Sequence, residues 1–309
     1  MKTSKGIGPS EEIRSWITSF NDAGTVRSMK FGVFMFATDT AIRPDHLARE
    51  VEARGFDSLW FPEHSHIPVS RKTPWGGQQG AAPLPEHYWH SLDQFVALAS
   101  AAATTETLKL GTGITLVAQR DPIWTAKEVA TLDHLSGGRV LFGIGYGWNK
   151  EEMAQHGASY TKRRELLREK ILMMKSLWVD EVSSFQGELA SLEPSWAWPK
   201  PVQKPHPPII MGADAGPRTI EDIVEFCDGW MPLATRMDVV DRAVLVRQAL
   251  ADAGRDPSSF EITAYCVRLK DIDLLIEAGV DRAVFSVPPA GAEVVIPKLD
   301  ELAAAVGLK

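Results

Sequence analysis

The chain has 309 residues, of which 44% are hydrophobic and 24% are charged, and its formal net charge at pH 7 is −7. This composition is typical of a globular protein, and an acidic chain without a basic cluster argues against nucleic acid as its main partner. No apolar run reaches the roughly 18 residues that a membrane span requires, and the first residues lack the apolar core of a signal peptide. The two cysteines, Cys227 and Cys266, are too few and too distant for a disulfide framework, so we expect a cytoplasmic protein.

Residues 1–28 are polar and show no clear core pattern. They are predicted to be an N-terminal extension that is peripheral or poorly ordered, with one short amphipathic helix over 11–20 as its only candidate element. The sequence MKFGVFMF from Met29 reads as the entry into a first strand. Residues 29–309 are therefore predicted to form one domain.

From Met29 onward, apolar strand patterns alternate with helical patterns. Strands are predicted over 31–36, 57–61, 108–115, 139–144, 208–211, 229–232, 261–267 and 282–286. Helices are predicted over 44–54, 91–104, 123–135, 163–178, 218–227, 239–253, 271–278 and 294–306. Eight strand–helix pairs in one chain predict a (β/α)8 TIM barrel, in which the active site lies at the carboxyl ends of the strands.

Two long insertions interrupt this alternation. The first, over 64–88, is rich in proline, glycine and aromatic residues and follows the second predicted strand. We therefore expect it to lie over the carboxyl face of the barrel as a lid or binding loop. The second, over 179–206, is predicted to form a small hairpin followed by a proline-rich extended connector.

The third and fourth predicted strands both run into glycine at their carboxyl ends, in LGTGI at 110–114 and GIGYGW at 143–148. Glycine at this face lets the backbone approach a flat ligand closely. These two segments are therefore predicted to form a cofactor seat. The glycine spacing over 143–147 differs from the dinucleotide-binding fingerprint and does not indicate a Rossmann fold.

A series of further motifs runs from about Met29 to Gly307. They are KFGVF at 30–34, SLWFPEH at 58–64, LGTGI at 110–114, RDP at 120–122, AKEVATLDHLSGGRVLFGIGYGW at 126–148, SFQGE at 184–188, PKPVQKPHPPIIMGA at 199–213, CDGW at 227–230 and AGRDPSSFEIT at 253–263. In order and spacing they resemble the luciferase-like monooxygenase superfamily and, within it, the coenzyme F420-dependent oxidoreductase branch. The resemblance implies a (β/α)8 barrel, a flavin or deazaflavin at its carboxyl face, and commonly a homodimer.

The resemblance also implies where the cofactor is bound. A bulge, often with a non-proline cis peptide, is expected at Gly113–Ile114 against one face of the cofactor ring; a plain barrel-corner glycine is the alternative. The phosphate of the cofactor is expected near a strand–helix junction, because the N-terminus of a helix attracts anions. Asp214 at that junction departs from the family pattern, since a carboxylate that points towards the phosphate would repel it. The alternative is that Asp214 caps the helix. The other cofactor-binding residues that the resemblance implies are Thr112, Gly145, Gly147, Gly212 and Ala213.

Glu63 and His64 closely follow the second predicted strand. A histidine at a barrel mouth can take a proton near neutral pH. In F420-dependent alcohol and sugar-phosphate dehydrogenases of the family, a histidine at this motif accepts the hydroxyl proton of the substrate. The resemblance therefore implies that His64 is the catalytic base and that Glu63 orients its ring. The alternative is that His64 only hydrogen-bonds the cofactor or a loop carbonyl.

Trp148 stands where the sugar-phosphate dehydrogenases of the family carry a glutamate as general acid. This replacement argues against a sugar phosphate and favours an apolar or aromatic substrate, lined by Trp148 and Phe36, unless Trp148 serves only in packing. Arg71 and Lys72 either meet the anionic tail of F420 or form solvated surface. Candidate metal ligands are His64, His66, Glu86, His87 and His90. No metal is expected, because their spacing in the sequence matches no recognised metal-binding motif.

These features predict an F420-dependent oxidoreductase that transfers a hydride to or from a small organic substrate. One alternative is an FMN-dependent monooxygenase that relies on a partner flavin reductase, and another is a non-catalytic barrel that binds cofactor. A 5-deazaflavin does not activate oxygen as a flavin does, so the identity of the cofactor decides the class of reaction. An F420 reductase is the expected partner if the reduced deazaflavin is consumed.

Overall fold

The computed structural model of the protein describes residues 29–236 and 238–309. The extension predicted over 1–28 lies outside the described residues. The strands of the described ranges are β1 (Lys30–Phe34), β2 (Ser58–Phe61), β3 (Lys109–Thr112), β4 (Val140–Ile144), β5 (Ser183–Gln186), β6 (Ser191–Ser195), β7 (Ile209–Met211), β8 (Gly229–Trp230), β9 (Glu261–Tyr265) and β10 (Arg282–Ser286). All of them except β5 and β6 are parallel and close into one barrel.

The helices of the same ranges are α1 (Pro44–Ala53), α2 (Gln94–Ala102), α3 (Pro122–Leu135), α4 (Lys150–Gln155), α5 (Arg163–Val179), α6 (Pro217–Phe226), α7 (Val239–Asp252), α8 (Ile272–Glu277) and α9 (Ala292–Ala305). Every predicted strand and helix is present, with ends that differ by a few residues. Helix α4 has no counterpart among the predicted helices. The predicted (β/α)8 barrel is confirmed, and none of the helices in the described ranges has the length and apolarity to cross a membrane.

The barrel closes where β1 pairs with both β2 and β10, so that Phe34 lies opposite Trp60 on one side and Ser286 on the other. Alternate residues of each strand point into the barrel. The inward residues form a buried apolar cluster of Phe34, Trp60, Leu141, Ile210, Met231, Tyr265 and Val284. The residues between them pack against the surrounding helices. The barrel is therefore a filled core rather than a channel.

At the carboxyl end of the strands, four partly buried apolar residues pack on top of this inner cluster. They are Phe36, Ile114, Leu233 and Cys266, which we call the floor. Both cysteines of the chain are free; Cys227 is buried and Cys266 belongs to the floor. The floor is the surface on which a flat ligand at the carboxyl face would lie.

Both predicted insertions are found. The second contains the expected hairpin, in which β5 and β6 are antiparallel. Its tip is held by Glu169 of α5, whose carboxylate accepts hydrogen bonds from the backbone N–H groups of residues 188–190. The first insertion crosses the mouth of the barrel, where the rings of His87 and Tyr88 contact Phe36.

Candidate active site

The backbone that follows β3 forms one side of the floor. The peptide bond between Gly113 and Ile114 is cis, as the resemblance implies. The carbonyl of Gly113 accepts a hydrogen bond from the hydroxyl of Tyr265 at 3.2 Å, and the N–H of Gly113 donates to the carbonyl of Phe61 at 2.7 Å. These two bonds fix the position of the Ile114 side chain at the carboxyl face.

The glycines at the strand ends make room for neighbouring side chains. A Cβ on Gly145 would collide with Cδ1 of Ile114, and a Cβ on Gly212 would collide with its Cγ2. A Cβ on Gly113 would meet the hydroxyl of Tyr265. Gly145 and Gly212 thus let Ile114 lie between the ends of β4 and β7. These glycines were predicted to let the backbone approach a ligand, and in the structure they also shape the floor by making room for Ile114.

Two other predicted cofactor contacts have structural roles. Thr112 is fully buried, and its hydroxyl donates to the carbonyl of Gly143 at 2.7 Å. Its side chain therefore supports the bulge and does not face the cleft, which corrects the prediction for Thr112. Gly147 has a φ of +77°, and a Cβ there would lie 2.9 Å from Cε of Met153. Gly147 is required for the turn that leads from β4 into α4.

His64 lies at the barrel mouth and is 8% exposed. Its Nδ1 is 2.8 Å from a carboxylate oxygen of Glu152 in α4, a residue without solvent exposure. The other oxygen of Glu152 accepts hydrogen bonds from Nε2 of Gln119 at 2.9 Å and from the N–H of Ser65 at 3.3 Å. A carboxylate only accepts, so Nδ1 of the neutral ring carries the hydrogen and Nε2 is left to accept a proton.

Glu63 does not orient His64, and that prediction is wrong. One oxygen of Glu63 accepts a hydrogen bond from the N–H of Leu116 at 2.7 Å, and the other pairs with the guanidinium of Arg120. Both oxygens of Glu63 are thus engaged away from His64, whose ring is held by Glu152 instead. Burial raises the pKa of Glu63, against the opposing charge of Arg120 and the hydrogen bond from Leu116.

Glu152 takes the role that was expected of Glu63, and the sequence analysis missed it. The segment KEEMAQ over 150–155 is too short for a helical pattern to be recognised. One signal was available: Asn149 with a glutamate three residues later is typical of a helix start. The contact itself joins residues 88 positions apart and has no local signature.

Aromatic rings surround His64. The ring centroid of Trp148 is 5.7 Å from that of His64, and the Tyr88 ring lies 5.0 Å from His64 and 6.2 Å from Trp148. Phe36 lies 4.7 Å from Tyr88 and 4.4 Å from His87. The structure therefore brings the predicted base and both predicted substrate-lining residues, Phe36 and Trp148, to one mouth.

The first insertion is attached to α4 next to this mouth. The Glu151 carboxylate accepts hydrogen bonds from the N–H of Lys72 at 2.8 Å, from the N–H of Thr73 at 3.2 Å and from the Thr73 hydroxyl at 2.6 Å. Desolvation opposes the charged form, but these hydrogen bonds lower the pKa of Glu151 to about 2. The guanidinium of Arg71 lies 5.6 Å from the ring centroid of Trp148, so Arg71 packs on the wall of the mouth.

Gly212 and Ala213 are partly exposed between β7 and α6. In the described part of the chain, no hydrogen bond engages the N–H groups of Ala213 and Asp214. Helix α6 has Gly216 at its N-cap without a side-chain cap, so the Asp214 carboxylate does not cap it. Beside this loop is a cavity of about 500 Å³, lined by Asp214, Arg236, Asp238, Asp241, Arg242 and Leu245.

The histidines that were weighed as metal ligands have other partners. Nε2 of His66 is 2.5 Å from the amide oxygen of Gln155, and Nδ1 of His90 is 2.9 Å from a carboxylate oxygen of Asp39. In residues 29–236 and 238–309, no group of three His, Cys, Asp or Glu side chains is placed to hold a metal ion.

The chain belongs to the luciferase-like monooxygenase family, whose model matches residues 29–268. It is 38% identical over 279 residues to an uncharacterised protein of Mycobacterium tuberculosis, across 89% of this chain and 98% of that protein. It is 29% identical over 236 residues to the F420-dependent hydroxymycolic acid dehydrogenase of the same organism, across 74% of this chain and 60% of that enzyme.

Among solved structures, the chain is similar in fold to the monooxygenase RslO1 from Streptomyces bottropensis. The TM-score is 0.73 at 20% identity, across 90% of this chain and 98% of that one. At this identity the likeness shows the fold alone. The family match and the hydroxymycolic acid dehydrogenase together place the chain in a family of luciferase-like monooxygenases that includes an F420-dependent dehydrogenase.

Proposed function

We propose that this protein is a coenzyme F420-dependent oxidoreductase, which transfers a hydride between the deazaflavin and an apolar or aromatic alcohol or carbonyl compound. The observation that carries the proposal is His64, held by Glu152 with Nε2 as its proton acceptor, beside the apolar floor of a barrel mouth. The similarity to an F420-dependent hydroxymycolic acid dehydrogenase supports the same cofactor and reaction class.

The residues present fit such a cofactor. The floor offers an apolar surface for a planar ring, with Ile114 wedged between Gly145 and Gly212. The N–H groups of Ala213 and Asp214, at the approach to α6, are suited to the cofactor phosphate. When bound, F420 supplies the carbon that accepts or donates the hydride.

His64 handles the proton that accompanies the hydride. In the direction of alcohol oxidation, its Nε2 takes the hydroxyl proton of the substrate. The positive charge then formed on the ring lies against the carboxylate of Glu152, which is the pairing that a buried charge requires. Trp148 and Phe36 exclude water and pack against the apolar part of the substrate.

Turnover with a panel of substrates tests this proposal. Oxidised F420 is mixed with 2-propanol, cyclohexanol or 1-phenylethanol, and reduction of the deazaflavin is followed by its absorbance. We expect turnover that favours the larger apolar alcohols, and a loss of about 100-fold or more in His64→Gln with F420 affinity retained. Turnover that is unchanged in His64→Gln would contradict the assignment of the base. F420 binding without turnover in either direction would favour the non-catalytic barrel.

A second candidate is an FMN-dependent monooxygenase with a partner flavin reductase. The observation that favours it is the cavity beside the phosphate loop, in which Asp214, Asp238 and Asp241 outnumber Arg236 and Arg242. The anionic tail of F420 would meet these carboxylates, whereas FMN ends at its phosphate. Oxygen consumption with FMN and an added flavin reductase, without activity on F420, would establish this alternative.

We also propose a cytoplasmic homodimer, in keeping with the resemblance and with the free thiols of Cys227 and Cys266. Candidate contacts are the exposed rings of Trp124, Trp196 and Trp198, with exposed fractions of 70%, 79% and 60%. Light scattering on the purified full chain would test the dimer, and a monomer mass would contradict it.

A further inference from the structure

Tyr88 holds a polar group at the mouth that the proposed mechanism does not use. It lies on a short helical turn, Glu86–Tyr88, in the first insertion. Its hydroxyl oxygen accepts a hydrogen bond from Nε1 of Trp75 at 2.8 Å. An indole nitrogen only donates, so Tyr88 keeps its own hydrogen to donate. In the described ranges, no group accepts that hydrogen.

We propose that the hydroxyl of Tyr88 donates a hydrogen bond to the substrate oxygen whose proton His64 transfers. The inference rests on the proposed function and adds a second polar contact to the same site. Tyr88 would thus act on the reacting oxygen directly. Trp75 would be a positioning residue, because its indole fixes the direction of the Tyr88 hydroxyl.

The position of the ring supports this assignment. Tyr88 lies 5.0 Å from His64 and 4.7 Å from Phe36, so its ring spans the mouth between the predicted base and the floor. The floor is made of apolar side chains. An oxygen that gains negative charge in such surroundings needs a preorganised donor, and removal of one such donor costs about 10² to 10³ in rate.

The ionisation of Tyr88 also suits a donor. Burial raises the pKa of Tyr88, and Cys266 adds to this rise, against the hydrogen bond from Trp75 and the charge of Arg236. Tyr88 therefore stays neutral and keeps its proton across the neutral range. The site therefore has two polar groups with different tasks. Tyr88 donates a hydrogen bond, and His64 gains and loses a proton.

The step balances with these groups. In alcohol oxidation, the O–H bond of the substrate breaks and its proton goes to Nε2 of His64. The C–H bond breaks and its hydride goes to oxidised F420, and the C=O double bond forms. Tyr88 donates its hydrogen bond to the same oxygen throughout and is neither oxidised nor deprotonated.

The test uses Tyr88→Phe, which removes the hydroxyl and retains the ring, together with Trp75→Phe, which removes the N–H that donates to Tyr88 and keeps an aromatic ring at that position. The probe is acetophenone bound to the full chain with oxidised F420, a pair that cannot react. Its carbonyl stretch is read by difference infrared spectroscopy. We expect the carbonyl stretch to have a lower frequency in the wild-type protein than in Tyr88→Phe. In Trp75→Phe, we expect its frequency to lie between those two values.

Steady-state rates provide the second readout. We expect kcat to fall by about 100-fold in Tyr88→Phe with little change in KM. The inference is overturned if the carbonyl frequency is the same in the wild-type protein and in Tyr88→Phe. It is also overturned if the kcat of Tyr88→Phe is within twofold of wild type. If His64→Gln abolishes turnover while Tyr88→Phe leaves it intact, the proposed function stands and this inference alone fails. If F420 does not bind, both fail.

Discussion

Replacement of Glu152 by glutamine separates the orientation of His64 from the packing of its surroundings. The substitution preserves shape but converts one carboxylate oxygen into an NH2 group. In the wild-type protein, Gln119 and Ser65 donate hydrogen bonds of 2.9 and 3.3 Å to one oxygen of Glu152. The amide oxygen of the variant can keep these two bonds only if its NH2 group faces Nδ1 of His64. Nδ1 must then accept, so its hydrogen moves to Nε2 and the ring loses its proton acceptor.

The expected loss follows from these contacts. To restore the reactive tautomer, the amide must turn and give up two hydrogen bonds of about 1 kcal/mol each. The partner of His64 is then a neutral amide rather than a carboxylate, so the positive ring formed in the reaction loses its countercharge, which costs about 2 kcal/mol. Together these costs reduce kcat about a thousandfold, since about 1.4 kcal/mol corresponds to a factor of ten.

The assay is F420 reduction with the best alcohol of the panel, and the control is Glu151→Gln. Glu151 is the preceding residue on α4, but it binds Lys72 and Thr73 rather than His64. We expect the control to change kcat by less than about threefold, because it leaves the tautomer of His64 intact. A kcat in Glu152→Gln within threefold of wild type, or an equal loss in Glu151→Gln, would refute the reasoning.

Two further predictions concern the floor and the attachment of the first insertion. Gly145→Ala should weaken F420 binding and lower the melting temperature, because the new methyl group collides with Cδ1 of Ile114. A second change, Ile114→Val, removes that atom and should restore both properties. Because the folded-state pKa of Glu151 is depressed from 4.5 to about 2, its contribution to stability is present above pH 4.5 and is lost as the pH falls towards 2. The melting temperatures of wild type and Glu151→Gln should therefore differ at pH 7 and converge below pH 4.5; a constant difference down to pH 3 would contradict this link.

The barrel could be predicted because its signals are local. Buried parallel strands are continuously apolar, and helices that end in glycine separate them, so a single pass along the chain locates each pair. The cis bond at Gly113–Ile114 came from the family resemblance, since no local pattern indicates it. The strand ends were less accurate, because loop residues next to a strand share its composition.

The partners inside the site could not be predicted in the same way. Glu63 was chosen to orient His64 because it is the adjacent acid in sequence, yet its carboxylate binds Leu116 and Arg120. Glu152 reaches His64 only through the turn at Gly147 and the short helix α4. Tyr88 reaches the same mouth only because the first insertion folds back over the floor. Sites assembled by long-range contacts depend on geometry that a sequence pattern does not contain.

The identity of the cofactor is the central claim, and a parallel titration of the purified protein with F420 and FMN tests it most directly. Tryptophan fluorescence is the readout, since Trp148 lies 5.7 Å from His64 at the mouth. The account predicts micromolar binding of F420, with FMN at least tenfold weaker. Tighter binding of FMN than of F420 would contradict the proposed hydride chemistry and make the oxygen-using alternative the better account.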